Sequence, residues 1–185
     1  MDAINATHQF GLPTRDIVVD KVHQQYDDTC AIKSQELVLH SVGLHLTEEE
    51  LRTEAMQHGW YTPGGGTPME NVGALLENHG LNVEQTYNAS IFHLVSELGK
   101  GHPIIVGVDS GELWHTGQEE IEEDLTFGPR PDHALIVGGI EFNDDFSSGS
   151  VNLIDPGSGD YCKSYDLDLF QDAWDDSGNF MVSIL

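Results

Sequence analysis

The apolar positions follow two rhythms along the chain. In AIKSQELVLHSV, directly after Cys30, Ile32, Leu37, Val38 and Val42 fall on a helical spacing among good helix formers, and Gly43 supplies a stop. Two more helices are predicted from capping boxes, Thr47 with Glu50 before LRTEAMQHG, and Thr67 with Glu70. In the second box Pro68 takes the first helical position of TPMENVGALLENHG, which ends at Gly80. LNVEQTY then alternates as a strand does, and SIFHLVSELGKG reads as an amphipathic helix closed by Gly99 and Gly101.

From Pro103 the rhythm changes. PIIVGVD, HALIVGGIEF, SVNLID and the terminal FMVSIL are short β-branched or apolar runs bounded by Gly, Asp and Ser, the pattern of strands in a sheet. Helices first and strands later predict an α+β domain, with an N-terminal helical half packed on an antiparallel β-sheet. We expect residues 22–185 to form a single domain preceded by an N-terminal segment, 1–21. The stretch from Ser110 to Asp132 has little periodicity and reads as a long loop leading into His133.

Composition narrows the function. A chain of 185 residues, 38% of them hydrophobic and spread over its length, is enough for one well-buried core. The net charge of −25 argues against nucleic acid and against anionic membrane surfaces, because no basic patch can replace counterions on phosphate. It suits solubility, salt adaptation or attraction of basic peptides. The acids gather in QEEIEEDLTFGPRPD and DLDLFQDAWDDSG, neither with the ligand spacing of a calcium loop. No apolar stretch reaches membrane-spanning length and no signal peptide is recognisable, so the expected location is cytoplasmic as synthesised, with signal-less secretion left open. In such a compartment the two cysteines, Cys30 and Cys162, are expected as free thiols.

Cys30 is placed unusually for a structural thiol. It follows Asp27, Asp28 and Thr29, turn-forming and capping residues, and opens a predicted helix whose positive end favours a thiolate. A thiol nucleophile needs a base, a group that orients the base, and donors for the oxyanion. His133 starts a strand just after the long loop; His102 is the runner-up, held between Gly101 and Pro103. If HALIVGGIEF pairs antiparallel with SVNLID, Asp155 returns beside His133, and Pro156 ends the ladder. Gln24 is the candidate oxyanion donor with the Cys30 backbone N–H, and Gln25 its competitor. Cys162 reads as a bystander, and Trp60, Trp114 and Trp174 as packing residues. The scheme requires no metal or organic cofactor, and too few convergent Cys and His are present for structural zinc.

Gln24 six positions before Cys30, the small Ala31 after it, the GGGTPMENVGALLENHGL segment, and the pair HALIVGGI and NLIDPGSG together resemble the papain-like cysteine peptidases of bacteria. The resemblance points most to the family that removes double-glycine leaders from bacteriocin precursors and its stand-alone relatives, and runs from about Val22 to Gly159. It implies Cys30 as nucleophile, His133 as base, Asp155 as orienter and Gln24 as oxyanion donor, acting on a peptide or protein substrate. A glutamine deamidase or cell-wall amidase toxin would use the same triad, and a non-catalytic adaptor could keep the fold.

Overall fold

The computed structural model describes residues 8–15, 17–114 and 130–185. Its first helices are α1 (Cys30–Ser41) and α2 (Glu48–His58). α2 begins in the expected capping box: Thr47 Oγ1 accepts from Glu50 N at 3.3 Å and Glu50 Oε2 accepts from Thr47 N at 2.8 Å. The second expected helix is broken. TPMENVGALLENHG forms a 3₁₀ turn, Met69–Asn71, and then only the short α3, Ala74–Asn78, with no side-chain cap. The break sits at Gly73, whose φ of +105° takes it out of the helical region; a Cβ there would lie 2.8 Å from Val83 Cγ1.

The strands are β1 (His8–Gly11), β2 (Ile17–Val18), β3 (Val83–Thr86), β4 (Ile104–Val108), β5 (His133–Phe142), β6 (Gly149–Ile154), β7 (Asp160–Tyr161), β8 (Lys163–Asp166) and β9 (Met181–Ile184). The main sheet is antiparallel, in the order β3-β9-β4-β5-β6-β8, with β1 also paired to β5. β2 and β7 form a separate two-stranded ribbon. The described residues form three further helices: α4 (Ile91–Lys100), α5 (Ser110–Trp114) and α6 (Leu167–Asp175).

Both faces of the sheet are covered. Ile105, Ala134, Ile136 and Val182 pack with α1, α2 and α3, whereas Ile104, Val106, Leu135 and Val137 pack with α4, α5 and α6. Side chains that alternate between two cores explain why β4 and β5 read as continuous apolar runs. α6 lies within the acidic DLDLFQDAWDDSG: Asp166 caps it, while Phe170 and Trp174 are fully buried. Among the described residues no helix is long and apolar enough to cross a membrane.

Candidate active site

Cys30 is the first residue of α1 and half-buried. The helix is inserted so deeply that residues 31–36 are all buried, including Lys33, Ser34, Gln35 and Glu36. Each of these polar side chains finds a bond. Gln35 accepts from Gly73 N at 3.0 Å and donates to Ala31 O at 3.0 Å, and Ser34 Oγ donates to Ala134 O at 3.3 Å. Residues four apart share one helix face. The Ser34 bond therefore fixes the register of that face against β5 and presents Cys30 to the strand's first residue, His133.

β5 and β6 pair antiparallel, with Ile136 opposite Ile154. The start of one strand and the end of the other thus share a rim, where His133 Nε2 lies 2.6 Å from Asp155 Oδ1. Asp155 is anchored on both oxygens: Gly157 N donates to Oδ1 at 2.8 Å and Trp114 Nε1 donates to Oδ2 at 3.0 Å. The Trp114 and His133 rings stand 4.9 Å apart, tilted by 58°. A Cβ on Gly157 would come within 2.7 Å of the Trp114 ring and 3.0 Å of His133 Cε1, so only glycine fits against both rings.

The electrostatics of the pair follow. Burial pushes His133 toward its neutral form, but hydrogen bonds to Asp155 and to the Cys30 thiol outweigh it and raise the ring from 6.5 to about 10. Burial likewise opposes ionisation of Asp155, yet the bonds from His133, Gly157 and Trp114 hold its carboxyl below the ordinary range. Near neutrality the pair is therefore an imidazolium and a carboxylate.

The loop before Cys30 is held from two sides. Gln24 N donates to Pro156 O at 2.9 Å, tying the loop to the turn that carries Asp155. One amide hydrogen of Gln24 goes to Tyr26 O at 2.8 Å, leaving the second N–H of Nε2 without a bond inside the loop. From α2, Glu48 accepts Gln25 N and Thr29 Oγ1, Glu49 accepts Tyr26 OH at 2.7 Å, and the Arg52 guanidinium lies 4.3 Å over the Tyr26 ring. Gln25, the competitor of Gln24, is thus held by its backbone and exposed in its side chain.

A cleft of about 600 Å³ opens beside Cys30 and His133, walled by the glycines 64–66 and by Arg130–Asp132. Asp28 fixes the glycine wall, accepting Gly64 N at 2.6 Å and Tyr61 OH at 2.8 Å. Asp132 is engaged with Ser110, whereas the exposed Asp27 lines the cleft mouth. The acidic run 118–124 lies outside the described residues.

The other candidates fall elsewhere. His102 is paired with Glu97 at 2.7 Å, beside the C-terminal end of α4. Cys162 is fully buried and its thiol is pushed up by burial. Trp174 is core, and Trp60 stacks on His58. Trp114, a packing residue by sequence, instead bonds Asp155, and no local pattern sets Glu48 apart from the other first-turn acids of α2. Among the described residues no group of three or more His, Cys, Asp or Glu could hold a metal ion.

The chain is similar in sequence and fold to known proteins. Residues 17–182 match the model of the Peptidase_C39 like family. An uncharacterized protein of Mycobacterium tuberculosis is 30% identical over 129 residues, 64% of this chain, and one of Mycobacterium bovis matches equally. The chain spans about half the length of these curated relatives, 53%. Among solved structures, a Bacillus anthracis protein assigned to the C39-like peptidases superposes with a TM-score of 0.62 at 18% identity, covering 92% of this chain and 98% of that one. A double-glycine-motif protease from an AMS/PCAT transporter, in complex with its leader peptide, gives 0.57 at 16% identity, covering 96% and 98%. The peptidase domain of Streptococcus ComA, a bifunctional transporter of a quorum-sensing pathway, gives 0.58 at 15% identity, covering 88% and 93%.

Proposed function

The chain belongs to the C39-like peptidase family, and on that premise we propose that it is a cysteine peptidase working through Cys30, His133 and Asp155 with Gln24 as oxyanion donor. The observation that carries this reading is the position of His133, bonded to Asp155 at 2.6 Å and lining the same cleft as Cys30. Nε2 faces Asp155, so Nδ1 is the nitrogen left for the sulfur.

In this scheme the Cys30 thiolate attacks the scissile carbonyl and a tetrahedral oxyanion forms. The free N–H of Gln24 Nε2 and the Cys30 backbone N–H receive it. The His133 imidazolium protonates the leaving amine, which departs as the C–N bond breaks and a thioester remains on Cys30. Neutral His133 then takes a proton from water, whose oxygen attacks the thioester and releases the acid and the thiolate. Asp155 holds the ring in the required orientation throughout.

A peptide or protein is the substrate class. The net charge of −25 and the carboxylate of Asp27 at the cleft mouth favour basic peptides among them. The test is hydrolysis of fluorescein-labelled casein and of a quenched-fluorescent peptide library by wild type, Cys30→Ala, His133→Ala and His102→Ala. Loss of turnover in the first two variants with near-normal turnover in the third is expected. Turnover retained by Cys30→Ala overturns the reading.

A further inference from the structure

Glu48 is 1% exposed, although it stands in the first turn of α2, where a carboxylate can satisfy the helix from the surface. Its neighbours Glu49 and Glu50 do so in solvent, and Glu50 alone completes the capping box. Burying a charge costs several kcal/mol unless its partners compensate. The partners of Glu48 lie almost entirely in one short segment. Gln25 N reaches its two oxygens at 3.0 and 3.1 Å, and Thr29 Oγ1 reaches Oε1 at 2.5 Å. Lys33 Nζ, itself paired with Glu36 at 3.0 Å, stands farther off at 3.8 Å.

The two bonded residues bracket the segment that matters. Gln25 directly follows Gln24, and Thr29 directly precedes Cys30. Thr29 is also the N-cap of α1, and its hydroxyl makes no capping bond to that helix. It is drawn instead to Glu48 and to Tyr26 O at 2.9 Å. A capping hydroxyl ordinarily accepts an N–H of the first turn. Diverting it leaves the first-turn N–H groups beside Cys30 open to an incoming oxyanion.

We infer that Glu48 is a positioning residue for the oxyanion hole, clamping Gln25 and Thr29 so that Gln24 and the Cys30 N–H stay at a fixed separation; this rests on the peptidase reading of Cys30. The alternative is a buried charge that serves stability alone through Lys33 and Glu36. The two roles differ in what they do to turnover per competent active site.

The experiment compares Glu48→Ala, Glu48→Gln and Lys33→Met in wild-type and Gln24→Ala backgrounds. The substrate is the best-cleaved peptide of the quenched-fluorescent library, and rates are counted per titratable Cys30 thiol. Amide hydrogen exchange of residues 24–29 is read alongside. Glu48→Ala should lower kcat by about 10-fold or more with KM within about twofold, and raise the exchange of the loop. Glu48→Gln should recover most of the loss, because its carbonyl can accept Gln25 N and its amide can donate to Thr29 Oγ1. In the Gln24→Ala background the penalty should shrink to less than about threefold, since residues acting as one unit are not additive. Lys33→Met should cost stability and leave kcat per site in place.

An undiminished kcat in Glu48→Ala, an equal penalty in both backgrounds, or an equal loss in Lys33→Met overturns the inference. If wild type cleaves no peptide, the peptidase reading fails on its own. Unchanged loop exchange in Glu48→Ala then overturns the positioning role as well.

Discussion

Trp114 donates its indole N–H to Asp155 at 3.0 Å, on the carboxylate oxygen that His133 does not use. The bond locks the plane of the carboxylate, and the carboxylate in turn locks the imidazole. Hydrogen bonds to a charged group contribute about 1.5–3 kcal/mol when they are well made. Trp114→Phe keeps the ring over His133 and removes only this bond.

We therefore expect Trp114→Phe to lower kcat by about 10-fold at little cost to KM. Gly157→Ala should be worse, since its methyl group meets both the Trp114 ring and His133 Cε1. Steady-state kinetics with circular dichroism as the fold control decide the matter. Wild-type kcat in both variants would remove Trp114 and Gly157 from the positioning of the pair.

The pH dependence carries a definite sign. His133 is raised from 6.5 to about 10, so its contribution to stability is complete below about 6.5 and is lost as pH rises through about 10. Asp155 is lowered, so its contribution is present above the ordinary carboxylate range and is lost as pH falls through its depressed value. The Tm difference between wild type and Asp155→Asn should be widest between these limits and narrow toward both. Removing the Asp155 charge should also move the alkaline limb of kcat/KM to lower pH. An alkaline limb that stays in place contradicts the assignment of the ring's proton to this pair.

Gln24→Ala should reduce kcat by about 100-fold with a small change in KM, as for a donor whose bond strengthens in the transition state. Gln25→Ala keeps the backbone N–H that Glu48 accepts and should be mild. Equal losses in the two variants would show that the amide of Gln24 has no separate role.

How far the sequence could be read depended on how local each signal was. The Thr47 capping box, the strand runs of β4, β5, β6 and β9, and the helix opening at Cys30 are local patterns, and each element formed where its pattern lies. The pairing of β5 with β6 is also short in sequence, and it brings His133 to Asp155. The continuous helix expected from Thr67 gave way to a break because Gly73 passes against Val83, a tertiary contact that helix propensity cannot register.

The helix Leu167–Asp175 was hidden by its acids, although Phe170 and Trp174 stand at i and i+4 on its buried face. Trp114 lies 41 residues from Asp155, and Glu48 lies 23 from Gln25. Each looked ordinary in its own window, one as a packing aromatic and the other as a solvated first-turn acid. Only the closure of the sheet and the docking of α2 against the loop give them partners.

Cys30 as the proposed nucleophile has an internal control in Cys162, a free thiol that is fully buried. The most direct measurement is labelling of the native protein with a peptide bearing a thiol-reactive electrophile, followed by mass mapping of the modified residue and assay of remaining hydrolysis. We predict stoichiometric modification at Cys30, none at Cys162, loss of hydrolysis in proportion to the label, and strongly slowed labelling in His133→Ala. Labelling that ignores Cys30, or that proceeds at the same rate without His133, would contradict the account.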